Sequence, residues 1–194
     1  MDFCIFGAAS PETPEKYTEP VRRFAKKMAQ RGHDLVFGGG ADGVMGASAI
    51  GTQQGGGKVT GVIPTFFKMD NIEPPYDKCD HLYHTNGMAE RKAKMEQLAE
   101  AFIIAPGGIG TYEEFYEVLV LKELGRHNLP IVLFNVDGFY DPMIKALEHA
   151  KKEGFLRKDC LELFAVLSDP DEIIDYVENY SAGNEEYVVS PYTK

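Results

Sequence analysis

AFIIAPGGIGT, Ala101 to Thr111, followed by Tyr112-Glu113-Glu114-Phe115, decides the fold class of this chain. The apolar run from Ala101 to Ala105 has the length and character of a buried strand and stops at Pro106. Gly107, Gly108 and Gly110 form a turn, and from Thr111 the pattern becomes helical. A strand, a glycine turn and a helix N-terminus in that order make an anion site. The first N–H groups of the helix lack intrahelical partners, and the helix dipole is positive there. Glycine lets the backbone approach a bulky anion such as phosphate. A carboxylate one turn further in is badly placed to hold the anion but well placed to act on what the anion is attached to.

Outward from this unit, short apolar runs alternate with amphipathic patterns. Strands are expected over Phe3–Phe6, Asp34–Phe37, Val59–Ile63, Leu82–His84, Phe102–Ala105, Pro130–Asn135 and Phe164–Leu167. Helices are expected over Glu15–Arg31, Val44–Gln54, Met88–Ala99, Thr111–Leu124, Asp141–Lys152 and from Pro170 to about Tyr180. Pro64 to Asp80, with prolines at 64, 74 and 75, reads as long and irregular. The alternation predicts an α/β fold: a doubly wound, mostly parallel, Rossmann-like sheet with helices on both faces. Ligands of such sheets sit at the carboxyl ends of the strands, where Ser10, Gly38 to Gly40 and the Pro106 turn fall. With no repeat, linker or low-complexity tract, residues 1–180 are expected to form one domain and 181–194 a polar tail.

Composition narrows the function classes. A chain of 194 residues, 44% hydrophobic and 26% charged, can bury the core of a soluble domain. A net charge of −10 argues against a general nucleic-acid surface, which needs clustered Lys and Arg. It permits a small anionic ligand in a locally positive site. Cys4, Cys79 and Cys160 are widely spaced, without a CxxC pair or a metal-ligand spacing, which fits a reducing compartment and no structural zinc. The start of the chain shows neither a basic region nor a long apolar segment, so a cytoplasmic protein without membrane association is expected.

Two further motifs bear on the site. GGGADGVMG, Gly38 to Gly46, ends one strand and opens a helix, and Gly39, Gly40 and Gly43 there suit a second backbone wall around a nucleotide. It follows the second strand and lacks the order of a dinucleotide fingerprint, and the P-loop pattern is absent. GMAERKAKM, Gly87 to Met95, sets Arg91, Lys92 and Lys94 near the start of the helix that precedes the Pro106 strand. Arginine supplies planar, bidentate donors for phosphate or carboxylate.

Together, GGGADGVMG, MAERK and PGGIGTYEE resemble the Lonely Guy (LOG) family of nucleoside 5′-monophosphate phosphoribohydrolases, whose members are often mislabelled as lysine decarboxylases. The family signature PGGxGTxxE is complete from Pro106 to Glu114, and CIFGAAS, Cys4 to Ser10, resembles the family's first strand and serine-bearing turn. The similarity runs from about Phe3 to Tyr140. The resemblance implies Arg91 and Glu114 as catalytic residues. It implies nucleotide contacts from Lys92 and from Pro106, Gly107, Gly108, Ile109, Gly110 and Thr111, with Ser10, Gly39, Gly40, Gly43, Met88 and Glu113 as further candidates. Adjacent helical residues point about 100° apart, so Glu113 and Glu114 cannot face one ligand equally, and the signature favours Glu114.

The implied reaction is hydrolysis of the N-glycosidic bond of a purine nucleoside 5′-monophosphate, with AMP as the simplest substrate and cytokinin-type nucleotides as relatives of it. No cofactor and no metal are expected. Family members are usually dimers, so a homodimer is expected. The alternative is a non-catalytic carrier of a nucleotide or of the molybdenum cofactor on the same scaffold. Ala89 stands where the family usually has His, and Thr65 to His84, with Phe66, Phe67, Pro74, Pro75 and Tyr76, differs from the family pattern. That segment is expected to cover the base.

Overall fold

The β1 strand, Asp2–Phe6, shows why the sheet lies in the middle of the molecule. Phe3 and Ile5 point to one face, Cys4 and Phe6 to the other, and all four are buried. A strand apolar on both sides needs a helical layer on each, the habit of parallel sheets. In the computed structural model, which describes residues 1–70 and 72–181, the layers are present. Val21, Phe24 and Met28 of α1 (Glu15–Gln30), Val44 and Ala49 of α2 (Gly43–Gly55) and Ile173 and Val177 of α7 (Pro170–Glu178) pack on the Phe3 face. Met95 of α4 (Met88–Leu98), Phe115 and Val118 of α5 (Ile109–Glu123) and Leu147 of α6 (Asp141–Lys152) pack on the Cys4 face.

The described residues form a seven-stranded sheet in the order β4-β3-β2-β1-β5-β6-β7, parallel throughout. The further strands are β2 (Asp34–Phe37), β3 (Val59–Pro64), β4 (His81–Thr85), β5 (Ala101–Ile104), β6 (Ile131–Phe134) and β7 (Ala165–Leu167). Sequence order reverses between β1 and β5, whose residues Phe3 to Phe6 pair with Ala101 to Ile104. Chains leaving the two strands at such a switch point diverge to opposite faces and open a crevice. Here the crevice is bounded by the Gly7 to Ser10 loop and by the Pro106 turn.

Hydrogen bonds stitch the loops at this end together. Ala8 N–H donates to Pro106 O at 3.1 Å and Met45 N–H to Ala8 O at 3.1 Å. The Tyr140 hydroxyl, fully buried, donates to Ala105 O at 2.7 Å.

Three details differ from the sequence reading. The sheet is wholly rather than mostly parallel. The stretch Pro64 to Asp80 contains a short helix, α3 (Thr65–Met69), and is pinned at its far end. Tyr76 N–H donates to Gly39 O at 2.8 Å and Ala41 N–H to Pro74 O at 2.9 Å. A five-residue helix carries no readable period, and these two bonds link residues more than 30 apart in sequence, so no local pattern announces them. Finally, α5 begins at Ile109 rather than Thr111, because Gly108 already has the extended backbone of an N-cap. The tail expected at 181–194 falls, after Ser181, outside the described residues.

Candidate active site

The crevice at the switch point holds a cavity of about 260 Å³. Ala8 and Ala9 line it from the β1 loop, Gly108, Gly110 and Thr111 from the turn and first residues of α5, and Arg91 and Glu114 from α4 and α5. Gly7, Met45, Phe67, Glu73 and Met88 complete the wall.

The anion-binding end follows from the backbone. The first i to i−4 bond of α5 runs from Tyr112 N–H to Gly108 O at 3.0 Å. The N–H groups of Ile109, Gly110 and Thr111 precede it and are the donors a helix N-terminus offers to an anion. Gly107 is required for packing. A β-carbon there would run into the Thr111 side chain and crowd Ala8 N, so only glycine lets the β1 loop and the turn close on each other.

Arg91 is almost wholly enclosed, at 5% exposure, and three of its nitrogens have separate duties. Nε donates to Val62 O at 3.1 Å, within β3, and Nη2 to Gly38 O at 3.2 Å, just past the end of β2. Nη1 faces Glu114 Oε1 at 3.7 Å, an ion pair longer than a hydrogen bond. The Phe67 ring covers the guanidinium at 5.6 Å. Two neutral carbonyls and a ring thus fix a buried cation whose charge is aimed at a carboxylate.

Glu114 is 8% exposed. Burial pushes its carboxyl up to about 7, against the pull of Arg91, and Glu113 pushes the same way as burial. It is therefore poised to exchange a proton near neutrality.

Glu73 is the residue that sequence reasoning missed. Burial raises its carboxyl to about 7 as well, with Arg91 opposing and Asp42 reinforcing the rise. Its Oε1 is buried and accepts no hydrogen bond among the described residues. The carboxylate lies over the α-carbon of Gly40, where any β-carbon would collide with it. The only sequence signal was indirect: a lone acid between Ile72 and the Pro74-Pro75 pair in an otherwise irregular stretch.

The expected site residues divide. Arg91, Glu114, Met88, Gly108, Gly110 and Thr111 line the cavity, and Gly40 shapes it through Glu73. Lys92 and Glu113 are paired with each other beside the cavity, and Lys92 Nζ also meets Glu117 Oε2 at 2.6 Å. Ser10 is exposed and caps its own turn, its Oγ accepting from Glu12 N–H at 3.2 Å. Gly43 borders a neighbouring depression of about 320 Å³ with Thr13, Asp42 and Gly46. Pro106 and Gly107 lie in the turn behind the cavity wall, Gly39 accepts the bond from Tyr76, and the Ile109 side chain is 87% exposed. Among the described residues, no three His, Cys, Asp or Glu side chains gather as metal ligands would.

The family model described as "Possible lysine decarboxylase" matches residues 45–177. Rice cytokinin riboside 5′-monophosphate phosphoribohydrolase LOG is 35% identical over 184 residues, 93% of this chain and 75% of that protein. The cytokinin riboside 5′-monophosphate phosphoribohydrolase of Rhodococcoides fascians is 40% identical over 152 residues, 78% of this chain and 76% of its own. Among solved structures, the molybdenum cofactor carrier protein of Chlamydomonas reinhardtii superposes with a TM-score of 0.68 at 21% identity, covering 91% of this chain and 95% of that one. At that identity the likeness is one of fold.

Proposed function

This chain belongs to the LOG family of nucleoside 5′-monophosphate phosphoribohydrolases, and on that premise we propose that it hydrolyses the N-glycosidic bond of a purine nucleoside 5′-monophosphate to free base and ribose 5-phosphate. The observation that carries the reading is the buried Arg91–Glu114 pair in the same cavity as the α5 N-terminus. A carrier needs the second feature and has no use for the first.

The 5′-phosphate is held by the first N–H groups of α5 and the Thr111 side chain. As the C1′–N bond stretches, positive charge builds on the sugar, as in glycoside hydrolysis. Glu114, ionised, stabilises that charge and takes a proton from the attacking water. Arg91 keeps Glu114 in place and favours its ionised form. Lys92, Glu113 and Glu117 form the charged rim beside the phosphate end, with Lys92 as its cation.

AMP incubated with the protein should release adenine, while adenosine, which lacks the phosphate, should react far more slowly. Nucleotide binding without any release of base would overturn the hydrolase reading in favour of the carrier.

We propose a homodimer as well. Tyr116 and Val120 of α5 and Leu124 at its C-cap recur every four residues with their side chains partly in solvent, and Ile109 extends the stripe toward the cavity. Val118 and Lys122 of the same helix are buried and take no part. Light scattering should give twice the chain mass, and Val120→Lys should give monomer. The free thiols of Cys4, Cys79 and Cys160 fit a cytoplasmic setting, and no helix among the described residues is long and apolar enough to cross a membrane.

A further inference from the structure

Two carboxyls, Glu114 and Glu73, line the same cavity as Arg91 and are acted on by its charge, and the hydrolase reading uses only one. Glu73 arrives on a different element, its backbone clipped to the Gly38–Ala41 turn by the Tyr76–Gly39 and Ala41–Pro74 bonds and by the antiparallel bridge between Gly40 and Pro75. The clip holds the carboxyl over Gly40, inside the cavity wall. A carboxyl kept only for structure would be bonded to its surroundings, since a buried unpaired acceptor costs stability. Glu73 Oε1 is buried without a partner among the described residues, on a cavity that also holds Glu114.

We propose that Glu73 is the general acid that protonates the departing purine. The inference rests on the hydrolase reading and deepens it. The two carboxyls then divide the work as in glycoside hydrolysis, one on the water and one on the leaving group. The bond that breaks is C1′–N9, and its electron pair passes to the purine ring. The Glu73 carboxyl gives its proton to a ring nitrogen of the base. Water adds its oxygen to C1′ and gives a proton to Glu114, which returns it to solvent, from which Glu73 is reprotonated. The sum is nucleotide plus water to free base plus ribose 5-phosphate.

The environments suit the roles. Glu73 is faced by Arg91 from α4, which lowers its proton affinity, and by Asp42 from the loop before α2, which raises it; burial outweighs both. Glu114 is faced by Arg91 and Lys92 from α4 and by Glu113 and Glu117 from its own helix. Both carboxyls titrate near 7, so activity falls on the acid side as Glu114 takes up a proton and on the alkaline side as Glu73 loses one. Each carboxyl is raised chiefly by its own burial, and Arg91 pulls both in the opposite direction.

The test uses two substrates and Glu73→Gln. AMP has a leaving group that needs a proton; 4-nitrophenyl β-D-ribofuranoside 5-phosphate has one that does not. General acid catalysis is worth about 10²–10⁴-fold, so Glu73→Gln should cut kcat on AMP by roughly 100-fold while changing nitrophenol release less than about threefold. The ratio of the two rates within one preparation does not depend on how much of the variant folds. The alkaline limb of kcat on AMP should also vanish in Glu73→Gln. Equal losses on both substrates, no loss on AMP, or a retained alkaline limb would each overturn the assignment. A wild-type protein that releases no base from AMP would instead overturn the hydrolase reading beneath it.

Discussion

The turn after β5 and the segment after β3 each deliver one glutamate to the cavity around Arg91, by opposite means. Glu114 is carried by a fifteen-residue helix whose start is fixed by glycine and whose apolar face is buried in the core. Glu73 is carried by irregular chain and held by contacts to a turn more than thirty residues away. The first is positioned by local geometry, the second by long-range pairing. A carboxyl on a helix can be shielded deeply and still be placed accurately. A carboxyl on a clipped loop can be repositioned by changing either strand of the clip. The two halves of the site should therefore respond differently to mutation.

The largest effect is expected at the helix. Glu114→Gln removes the charge that opposes the sugar cation and the acceptor for the water proton, and kcat should fall by about 10³-fold. KM should move only a few-fold, because the phosphate donors of α5 are backbone groups. A variant with ordinary turnover would remove Glu114 from the chemistry and leave Glu73 as the principal acid–base group.

Arg91 joins the two regions, and its loss should be felt in stability. Arg91→Ala strands the Val62 and Gly38 carbonyls and leaves Glu114 buried without its cation. Removing one partner of a buried pair costs roughly 3 kcal/mol or more. Urea unfolding at pH 7 should show that loss. Any activity that remains should have its acid limb moved to higher pH, since Glu114 then keeps its proton longer. A limb that stays in place would mean that Arg91 does not tune Glu114.

The difference between the regions also explains what the sequence disclosed. All seven strands and the long helices follow from apolar runs and periodicity, the Pro106 turn stands out in the same way, and Arg91 and Glu114 are singled out by the resemblance of the motifs around them to the LOG family. In each case the signal lies within about a dozen consecutive residues. The ion pairs of Lys92 could not be read, because they depend on how α4 lies against α5. Glu73 could not be read either: the space for its carboxyl is left by Gly40, and its register comes from a bridge between Gly40 and Pro75. Even Gly40 was legible only as part of a backbone wall around a nucleotide, and the carboxyl that lies over it was not. Local chemistry is written in local patterns, whereas a loop that completes a site is written in its distant contacts.

Gly40→Ala tests that statement from the other strand of the clip. The nearest neighbours of the new methyl group are the Glu73 carboxylate, with which it collides, and the end of the Met45 side chain. Turnover on AMP should fall by about 10–100-fold, within the range of a lost general acid, and nitrophenol release should again be spared. Equal loss on both substrates would show that the glycine turn supports the whole cavity and not Glu73 alone.

The smallest effect has the opposite sign. A carboxyl raised to about 7 in the folded protein, against an ordinary value of 4.5, binds more protons folded than unfolded between those limits. The stability tied to the protonated form is fully present below about pH 4.5 and is lost as pH rises through about 7. Above that, folding keeps a buried charge whose Oε1 has no partner among the described residues. Glu73→Gln removes the charge and keeps the shape. It should stabilise the protein at pH 8 by roughly 1 kcal/mol after allowance for the partial exposure of the group, and by much less at pH 5. Thermal melting at the two pH values reads the difference directly. A stabilised but slow variant is the signature of a residue kept for chemistry at the expense of the fold. A variant destabilised at both values would make Glu73 a structural part of the clip, and the two regions would then differ in purpose as well as in construction.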